Sequence, residues 1–461
     1  MPLGPFDRRA KRSRCAICAA SHSKCSGSNP CTRCQKRGIR CIFPASPPSG
    51  DGTIIMLDRG KIHTAKDFRT PKASHPPAPL SDATTNYLFC FDLFVRRNSF
   101  TGREPFFLSD VQNLVKRSGG MQQNPRHYLL NAMLALGAMQ TKPLGTLETQ
   151  KRLRFAMEFY SQSLAELREA VSNFSSSQRD SILWTTLFLG LFELMQDASG
   201  QKWLQHMVFG TSQALLASGP ATCTSGTMQT FFIQARIFEV CRSIIFNQAS
   251  FLAAPEWINL TDSLSKTNVV TARHSLDELL KLVVLCSTLR ARTAEFIQSI
   301  SAYSDPESLF PEALSLATEG FDLREALECW KFSAVLPPER HEEMMLSTIY
   351  YSATSIYLSG NYDYDLNHWQ TIGVGVPTLN LAEIAKHFDN IILTVEKALK
   401  TTSLSPLLFL FPLRVAGARA KQKWQQDIVT ELLQEVREQF IVADAMLTEL
   451  GQLWTSRIMV S

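Results

Sequence analysis

The chain has 461 residues, of which 45% are hydrophobic and 19% are charged, and its formal net charge at pH 7 is +5. This length is typical of more than one folded unit, and the apolar fraction is ample for a substantial core. The N-terminus, MPLGPFDRRAKRSR, lacks the apolar core of a secretory signal peptide, which argues against an oxidising compartment and a disulfide framework.

The charge is distributed unevenly along the chain. Residues 1–50 hold ten Lys or Arg and one acid, giving +9, whereas the remaining 37 bases and 41 acids give −4. A basic head on a slightly acidic body predicts a protein that meets phosphate groups with one end only. Residues 1–14 form a basic arm, in which the run from Arg8 to Arg14 is interpreted as a nuclear import signal, a phosphate-binding arm or a solvated tail.

Six of the 11 cysteines lie within 27 residues, in the spacing C-x2-C-x6-C-x5-C-x2-C-x6-C. They are Cys15, Cys18, Cys25, Cys31, Cys34 and Cys41. Two residues between thiols allow both to bind one tetrahedral zinc ion, while the intervening amides hydrogen-bond to sulfur. Disulfides, separate mononuclear zinc knuckles and chance clustering are the competing interpretations. The expected reducing compartment argues against disulfides. Two separate four-thiolate sites would need eight cysteines, and the repeated spacing argues against chance.

Six thiolates fill the eight ligand positions of two tetrahedral ions only if two of them bridge both metals. We expect the first cysteine of each half, Cys15 and Cys31, to form these bridges. The first zinc ion then binds Cys15, Cys18, Cys25 and Cys31, and the second binds Cys15, Cys31, Cys34 and Cys41. Because protein fills every position around each ion, the metals are predicted to be structural.

Residues 15–41 resemble the fungal binuclear zinc cluster, the Zn2Cys6 family of transcription factors, in the spacing of all six cysteines. The resemblance implies that these cysteines bind two Zn²⁺ ions between two short helices related by pseudo-twofold symmetry. In that family the C-terminal end of the first helix lies in the DNA major groove. Pro30, just before the fourth cysteine, fits the turn between the halves.

The first half of the cluster departs from the commonest family pattern, which is rich in arginine and lysine. His22 stands where the family usually has a lysine that reads base edges, while Lys24 keeps its charge. This less basic version, with Ala19 and Ser21, is similar to the zinc clusters of aflatoxin-pathway regulators. A neutral His22 can donate to or accept from a base edge, and a solvated side chain without a base contact is the alternative.

We predict DNA contacts from the basic arm, the first short helix and the second half of the cluster. The predicted contact residues are Arg12, Arg14, Ser21, His22, Lys24, Arg33, Lys36, Arg37 and Arg40. Basic side chains are expected to dock on phosphates. The end of the first helix, around His22 and Lys24, is expected to read a short GC-containing element.

Residues 42–80 contain seven prolines among glycines and serines, which predicts a Pro-rich flexible linker. The apolar heptads of a coiled coil are not recognisable here, because the patch at residues 54–57 is too short to supply them. The sequence therefore leaves two alternatives open. Either the body forms a homodimer, or the cluster binds as a monomer.

Residues 81–461 are predicted to form an all-α regulatory domain. Apolar residues three and four apart predict helices over residues 128–139, 153–171, 200–217, 276–300, 341–358, 381–399 and 424–450. Residues 181–195 are apolar nearly all round but include Glu193 and are too short to cross a bilayer, which predicts a buried central helix and no membrane partner. The succession from residue 127 to residue 220 resembles the helical regulatory region behind many fungal zinc clusters.

The body shows no recognisable catalytic constellation, so the chain is predicted not to be an enzyme. The HEE sequence at residues 341–343 lacks the second histidine of a zincin motif, and P-loop and dinucleotide fingerprints are missing from the sequence. His206 is interpreted as a hydrogen-bonded core residue, and Asp363 and Asp365 as members of a solvated loop. The remaining cysteines, interpreted as reduced and mostly core residues, are Cys90, Cys223, Cys241, Cys286 and Cys329.

Together these observations predict a nuclear, sequence-specific DNA-binding regulator of RNA polymerase II transcription, with double-stranded DNA as its partner. The resemblance to aflatoxin-pathway regulators implies activation of a secondary-metabolite gene cluster. Regulation of primary-metabolism or stress genes, as activator or repressor, is one alternative. A zinc-cluster interaction scaffold without DNA binding is another. The mixed acids and apolar residues of 424–450 predict a terminal helix packed on the body or a segment that recruits transcriptional coactivators.

Overall fold

The structure is a computed structural model of the chain, and it forms two units, Met1–Pro79 and Leu80–Ser461, each with its own architecture. The residues that it describes are 15, 18, 25–26, 28, 30–41, 56–58, 61–63, 82–101, 107–118, 128–140, 146–201, 210–267, 276–300, 306–333 and 340–460.

The described part of the first unit contains a short helix and a small hairpin. Helix α1 spans Thr32–Lys36, and the sulfur of its N-cap, Cys31, accepts a hydrogen bond from the backbone N–H of Cys34. Strands β1 (Met56–Asp58) and β2 (Lys61–His63) pair in antiparallel register. The hairpin lies inside the residues predicted to be a linker, and strands of three residues are too short to build a core by themselves.

The described part of the second unit is built of helices. In chain order they are α2 (Asp82–Arg97), α3 (Phe107–Ser118), α4 (Tyr128–Gln140), α5 (Thr146–Ser172), α6 (Arg179–Gln196), α7 (Ser212–Ser218), α8 (Gly226–Ile245), α9 (Pro255–Thr267), α10 (Leu276–Ser299), α11 (Pro306–Ser333), α12 (His341–Asp363), α13 (Leu366–Ile372), α14 (Leu381–Thr401), α15 (Leu410–Arg419), α16 (Lys423–Arg437) and α17 (Ala443–Val460). Single 3-10 turns occur at Ser176–Gln178, Pro220–Thr224, Phe251–Ala253 and Pro406–Phe409. In the described residues of this unit, β-structure is limited to one parallel bridge between Ser99 and Leu404. The predicted all-α class is therefore confirmed.

Helix α6 lies in the interior of the second unit, and every residue from 181 to 195 is buried. The ring of Trp184 is completely buried, with the ring of Phe107 stacked on it at 4.8 Å and that of Phe231 edge-on at 5.2 Å. Such aromatic contacts contribute beyond the area that they bury. The prediction of a buried central helix is confirmed. Across the described residues, no helix has the length and apolar character that a membrane crossing requires.

Two buried glutamates of this core have hydrogen-bond donors beside them. The hydroxyl of Tyr160 donates a hydrogen bond of 2.5 Å to the carboxylate of Glu193 on α6. On α8 the buried carboxylate of Glu239 accepts two hydrogen bonds from Arg242 and one from Ser250. A buried carboxylate without such donors would be strongly destabilising. These hydrogen bonds stabilise the carboxylates of Glu193 and Glu239 inside an otherwise apolar core.

The helices predicted over residues 128–139, 153–171, 276–300, 341–358 and 381–399 correspond to α4, α5, α10, α12 and α14. Helix α14 begins at a capping box. The side chain of Asn380 accepts a hydrogen bond of 2.9 Å from the N–H of Glu383, whose carboxylate accepts one of 2.8 Å from the N–H of Asn380. The box satisfies two N–H groups that would otherwise have no partner in the helix.

Two predicted helices differ from the structure. The single helix predicted over residues 424–450 is wrong, because α16 and α17 are separated by a turn in which Phe440 is completely buried. An ion pair between Arg437 and Asp444 spans this turn. Within the predicted helix 200–217, α7 begins at Ser212. Residues 202–209, which include His206, lie outside the described residues.

The body cysteines are free thiols. Three of them are buried and two are not, so the prediction of reduced, mostly core residues is confirmed. The buried ones are Cys223, Cys241 and Cys286, while Cys90 is partly buried and Cys329 is exposed.

Candidate metal centre and DNA-binding surface

The six N-terminal cysteines meet in two overlapping groups of sulfur atoms. Within each group all sulfurs lie within 4.8 Å of one another. The first group is Cys15, Cys18, Cys25 and Cys31, and the second is Cys15, Cys31, Cys34 and Cys41. The shared sulfurs, those of Cys15 and Cys31, are 3.8 Å apart. These groups are the two ligand sets assigned from the spacing, with the same two shared members.

The sulfur positions fit tetrahedral zinc. The sulfur of Cys15 lies 3.7 Å from that of Cys34, and the sulfur of Cys18 lies 3.7 Å from that of Cys31. A regular tetrahedron with edges of this length has its centre about 2.3 Å from each corner, which is the usual Zn–S distance. A disulfide would require a separation of about 2.05 Å, and all 11 cysteines of the chain are free thiols. The donor set therefore suits two zinc ions and excludes a disulfide framework.

Backbone amides favour negative charge on the two shared sulfurs. The N–H of Cys34 donates to the sulfur of Cys31 at 3.4 Å, and this hydrogen bond is the main cause that lowers the pKa of Cys31 to about 6. The amide of Cys18 likewise lowers the pKa of Cys15. Burial instead raises the pKa of Cys18 to about 12, so that thiol needs the charge of a metal ion to lose its proton. The two sulfurs that belong to both groups are thus also ones on which backbone amides favour a negative charge.

Further hydrogen bonds hold the second half of the cluster in place. The N–H of Cys31 donates to the sulfur of Cys41 at 3.2 Å, which links the two ends of this half. The N–H of Thr32, at the start of α1, donates to the hydroxyl of Ser26 at 3.0 Å. Amide-to-sulfur bonds were expected only within the two-residue spacing, so the bond between Cys31 and Cys41, ten residues apart, was not predicted. The contribution of Ser26 was not predicted either, because cysteine spacing carries no signal for it.

Basic side chains project from the second half of the cluster. Lys36, Arg37 and Arg40 are exposed and Arg33 is partly buried. In the described part of the chain, none of these four side chains is paired with a carboxylate, which leaves their positive charges available to phosphate groups. The other predicted DNA contacts lie outside the described residues, and they are Arg12, Arg14, Ser21, His22 and Lys24.

The acids of the HEE sequence at residues 341–343 are used in packing. Glu343 is completely buried and forms an ion pair with Arg340. Glu342 accepts hydrogen bonds of 2.8 Å and 2.9 Å from the backbone and hydroxyl of Ser403. His341 itself is exposed at the start of α12. These contacts link α12 to the segment after α14 and give the sequence a structural explanation.

Asp363 does not belong to a solvated loop, so that prediction is wrong for this residue. It is the last residue of α12, and its carboxylate accepts hydrogen bonds of 2.9 Å and 2.8 Å from the guanidinium of Arg419 on α15. The hydroxyl of Ser359 adds a third donor at 2.8 Å. Asp365 directly precedes α13 as its N-cap residue. The pairing with Arg419, from a helix more than fifty residues later, leaves no trace in the local sequence.

A helical body together with two tetrahedral groups of sulfurs and a set of exposed basic side chains is typical of a zinc-cluster protein. Residues 14–49 match the family described as "Fungal Zn(2)-Cys(6) binuclear cluster domain", and residues 120–458 match the family described as "Fungal specific transcription factor domain". The chain belongs to the fungal Zn2Cys6 transcription factors. Its cluster domain binds two zinc ions, and most of the rest of the chain matches a transcription factor domain. Both families are transcription factor domains, which are not enzymes.

Similar curated proteins are themselves fungal. An uncharacterized protein of Emericella nidulans is 25% identical over 143 residues, which are 31% of this chain and 30% of that protein. A transcription factor of Pseudocercospora fijiensis is 36% identical over 72 residues, which are 15% of this chain and 16% of that protein. The chain therefore aligns with less than a third of the length of either relative. No solved structure matches the chain.

Proposed function

We propose that this protein acts in the nucleus as a sequence-specific regulator of RNA polymerase II transcription and activates a secondary-metabolite gene cluster. The observation that carries the DNA-binding part is the set of basic side chains at Arg33, Lys36, Arg37 and Arg40, which have no carboxylate partner among the described residues and lie on the same unit as the six zinc-binding cysteines. The resemblance of the first half of the cluster, around His22, to aflatoxin-pathway regulators supports the role in secondary metabolism.

In this proposal the six cysteines are the zinc ligands, and Cys15 and Cys31 are the bridges. Zinc fixes the sulfurs, and the sulfurs fix the backbone that presents basic side chains to the duplex. Phosphate contacts set the register on DNA, whereas contacts to base edges select the sequence. Arg12, Arg14, Arg33, Lys36, Arg37 and Arg40 take the first role. Ser21, His22 and Lys24 take the second, on a short GC-containing element.

The phosphate contacts are tested by the salt dependence of DNA binding. Removing one basic side chain that neutralises a phosphate should reduce the slope of log affinity against log salt concentration by about 0.9. We therefore expect a shallower slope for each of the single variants Lys36→Ala, Arg37→Ala and Arg40→Ala. Lys423→Ala is the matched control, because Lys423 lies on α16 of the body and its side chain is 81% exposed. A wild-type slope near zero would favour the alternative of an interaction scaffold without DNA binding.

The genes under control are tested by mapping the occupied DNA sites across the genome and profiling transcripts after deletion of the gene. We expect sites in the promoters of clustered biosynthetic genes, and lower transcript levels for those genes in the deletion strain. Occupied promoters of primary-metabolism or stress genes, with unchanged transcripts in every biosynthetic cluster, would refute the secondary-metabolite role.

The proposed organisation has a basic arm at residues 1–14, the zinc cluster at 15–41, a linker at 42–80 and the regulatory domain at 81–461. The regulatory domain is proposed to provide any homodimer contacts and to recruit coactivators. Trp424, 55% exposed at the start of α16, is the kind of apolar group that a coactivator can bury. The spacing of half-sites in the occupied DNA distinguishes a dimer from a monomer.

A further inference from the structure

The second unit contains an apolar cavity of about 390 Å³ among four helices. Its walls come from α6, α8, α15 and α17, with Phe238, Leu410 and Met446 among the apolar side chains that line it. Its polar side chains are Ser199, Arg414 and Glu449. Small-molecule sites in proteins typically have volumes of roughly 300–1,000 Å³ and mainly apolar walls with a few polar groups. By size and chemistry this cavity is suited to the apolar body of a small ligand.

A second cavity, of about 210 Å³, is lined by four arginines. These are Arg290 of α10, Arg414 and Arg419 of α15, and Arg457 of α17. Arg414 is paired with Glu449, and Arg419 with Asp363. Within the described residues, Arg290 and Arg457 have no carboxylate partner, so this cavity carries excess positive charge.

The two unpaired arginines are held in place by backbone carbonyl groups. Arg290 donates to the carbonyl of Gly360 at 2.8 Å, and Arg457 donates to that of Ala418 at 2.8 Å. One terminal nitrogen of Arg457 is buried and, in the described structure, has no hydrogen-bond partner. A buried donor without an acceptor is costly, and an anionic ligand would satisfy it. The arrangement therefore supplies pre-positioned donors for an acid group.

The two cavities meet at one ion pair. Arg414 and Glu449 contribute to the walls of both, and the guanidinium contacts the carboxylate through hydrogen bonds of 2.8 Å and 2.6 Å. The side chain of Glu449 is 48% exposed and that of Arg414 is 21% exposed, so the carboxylate is the solvent-facing member of this pair. Movement of Glu449 towards solvent would break the pair and join the apolar cavity to the cationic one.

We propose that the regulatory domain binds a small amphipathic carboxylic acid across these two cavities. Its hydrocarbon body fills the apolar cavity, and its carboxylate lies in the second cavity, where Arg290 and Arg457 receive it. The planar forks of arginine match the two oxygens of a carboxylate. Every residue that lines the two cavities belongs to the second unit, so occupancy of the site is measured without DNA.

The proposal is tested by isothermal titration calorimetry of the zinc-loaded full-length protein with three probes of equal chain length. These are dodecanoate, dodecanol and dodecylamine, which share the hydrocarbon and differ in the charge of the head group. We expect saturable binding of dodecanoate, binding about tenfold or more weaker for dodecanol, and none for dodecylamine. Equal binding of all three, or absence of dodecanoate binding, would overturn the proposal.

Three variants identify the site. Arg457→Met removes one unpaired charge and should weaken dodecanoate binding about tenfold, without effect on dodecanol. Arg457→Lys keeps the charge and should bind with intermediate affinity. Ala445→Leu fills part of the apolar cavity and should weaken both ligands.

Arg154→Met is the matched control, since Arg154 lies on α5 away from both cavities and its side chain is 80% exposed. Thermal unfolding of each variant shows whether it folds. If Arg457→Met does not fold, Arg290→Met carries the same prediction. Wild-type affinity for dodecanoate in folded Arg457→Met and Ala445→Leu proteins would exclude this site.

Discussion

Replacing Cys31 by serine should have a larger effect on the metal centre than replacing Cys18. The sulfur of Cys31 belongs to both tetrahedral groups, whereas the sulfur of Cys18 belongs to one. Serine has the same shape but supplies no thiolate, so Cys31→Ser removes a ligand from both ions and Cys18→Ser removes a ligand from a single ion. The serine oxygen can still accept a hydrogen bond from the backbone N–H of Cys34, which lies 3.4 Å from the sulfur of Cys31, so the helix cap is kept and the variant tests the metal ligand alone.

The size of the effect follows from the energetics of structural zinc. Partners outside the ligand shell already change metal affinity by about 10–100-fold, so loss of a direct thiolate should cost at least about 100-fold, or about 2.7 kcal/mol, for each ion it holds. For Cys31→Ser this penalty applies to both ions of the cluster. We therefore expect about two zinc equivalents in the wild type, about one in Cys18→Ser, and less than one in Cys31→Ser.

The assay is elemental analysis of zinc in the purified full-length protein after dialysis at limiting free zinc, with DNA binding measured on the same samples. Cys329→Ser is the control, because Cys329 is an exposed thiol on α11 of the body. It should retain both ions and full DNA affinity. Equal zinc loss in Cys18→Ser and Cys31→Ser would refute the bridging role of Cys31, since a non-bridging arrangement gives no reason for the two cysteines to differ.

Three further results are expected. In Gly137→Ala the new methyl carbon would lie 1.9 Å from the carbonyl oxygen of Tyr87, so α2 and α4 must separate. Chemical denaturation should show a free energy of unfolding lower by about 3 kcal/mol. The control Gly375→Ala, which has open space around it, should unfold as the wild type does. Burial lowers the pKa of His387 to about 4, so between pH 6.5 and pH 4 the unfolded chain binds a proton that the folded chain does not. The free energy of unfolding should therefore fall by up to about 3 kcal/mol over this pH range. Denaturation of His387→Gln at a series of pH values should show a weaker dependence on pH. Chelation of zinc should abolish DNA binding but leave the helical circular dichroism signal nearly unchanged, and a collapse of that signal would contradict the independence of the body from the metal.

The metal centre could be predicted from the sequence because its determinants are local. All six thiols lie within the 27 residues from Cys15 to Cys41, and the tetrahedral geometry of zinc restricts how these thiols can be arranged. The helix of residues 181–195 was predictable for a related reason, since an apolar run of that length without a membrane must be buried. In both cases a short segment and one physical rule are sufficient.

Other elements were not predicted because their stability depends on distant partners. Helix α8 buries Arg236, Glu239 and Arg242 among its apolar residues, and this burial is tolerated because Arg236 pairs with Asp277 and Arg242 pairs with Glu239. Helix α11 contains Pro311, which local rules interpret as a helix end. The cavities beside Arg414 could not be predicted from the sequence either. Their volume depends on how side chains from several helices pack against one another.

The two units of this protein are stabilised by different physical means, and this difference organises its function. Among the described residues of the first unit, the buried cluster consists of Cys15, Cys18, Cys31 and Cys34, which by themselves form too small an apolar core to hold a fold without metal. The second unit has a large core of its own, to which Trp184 and its aromatic neighbours belong. Because zinc supports only the unit that carries the excess positive charge, metal availability should control DNA binding while the regulatory domain stays folded. A ligand bound between α15 and α17 would act on the other unit, so the two inputs can be separated by experiment.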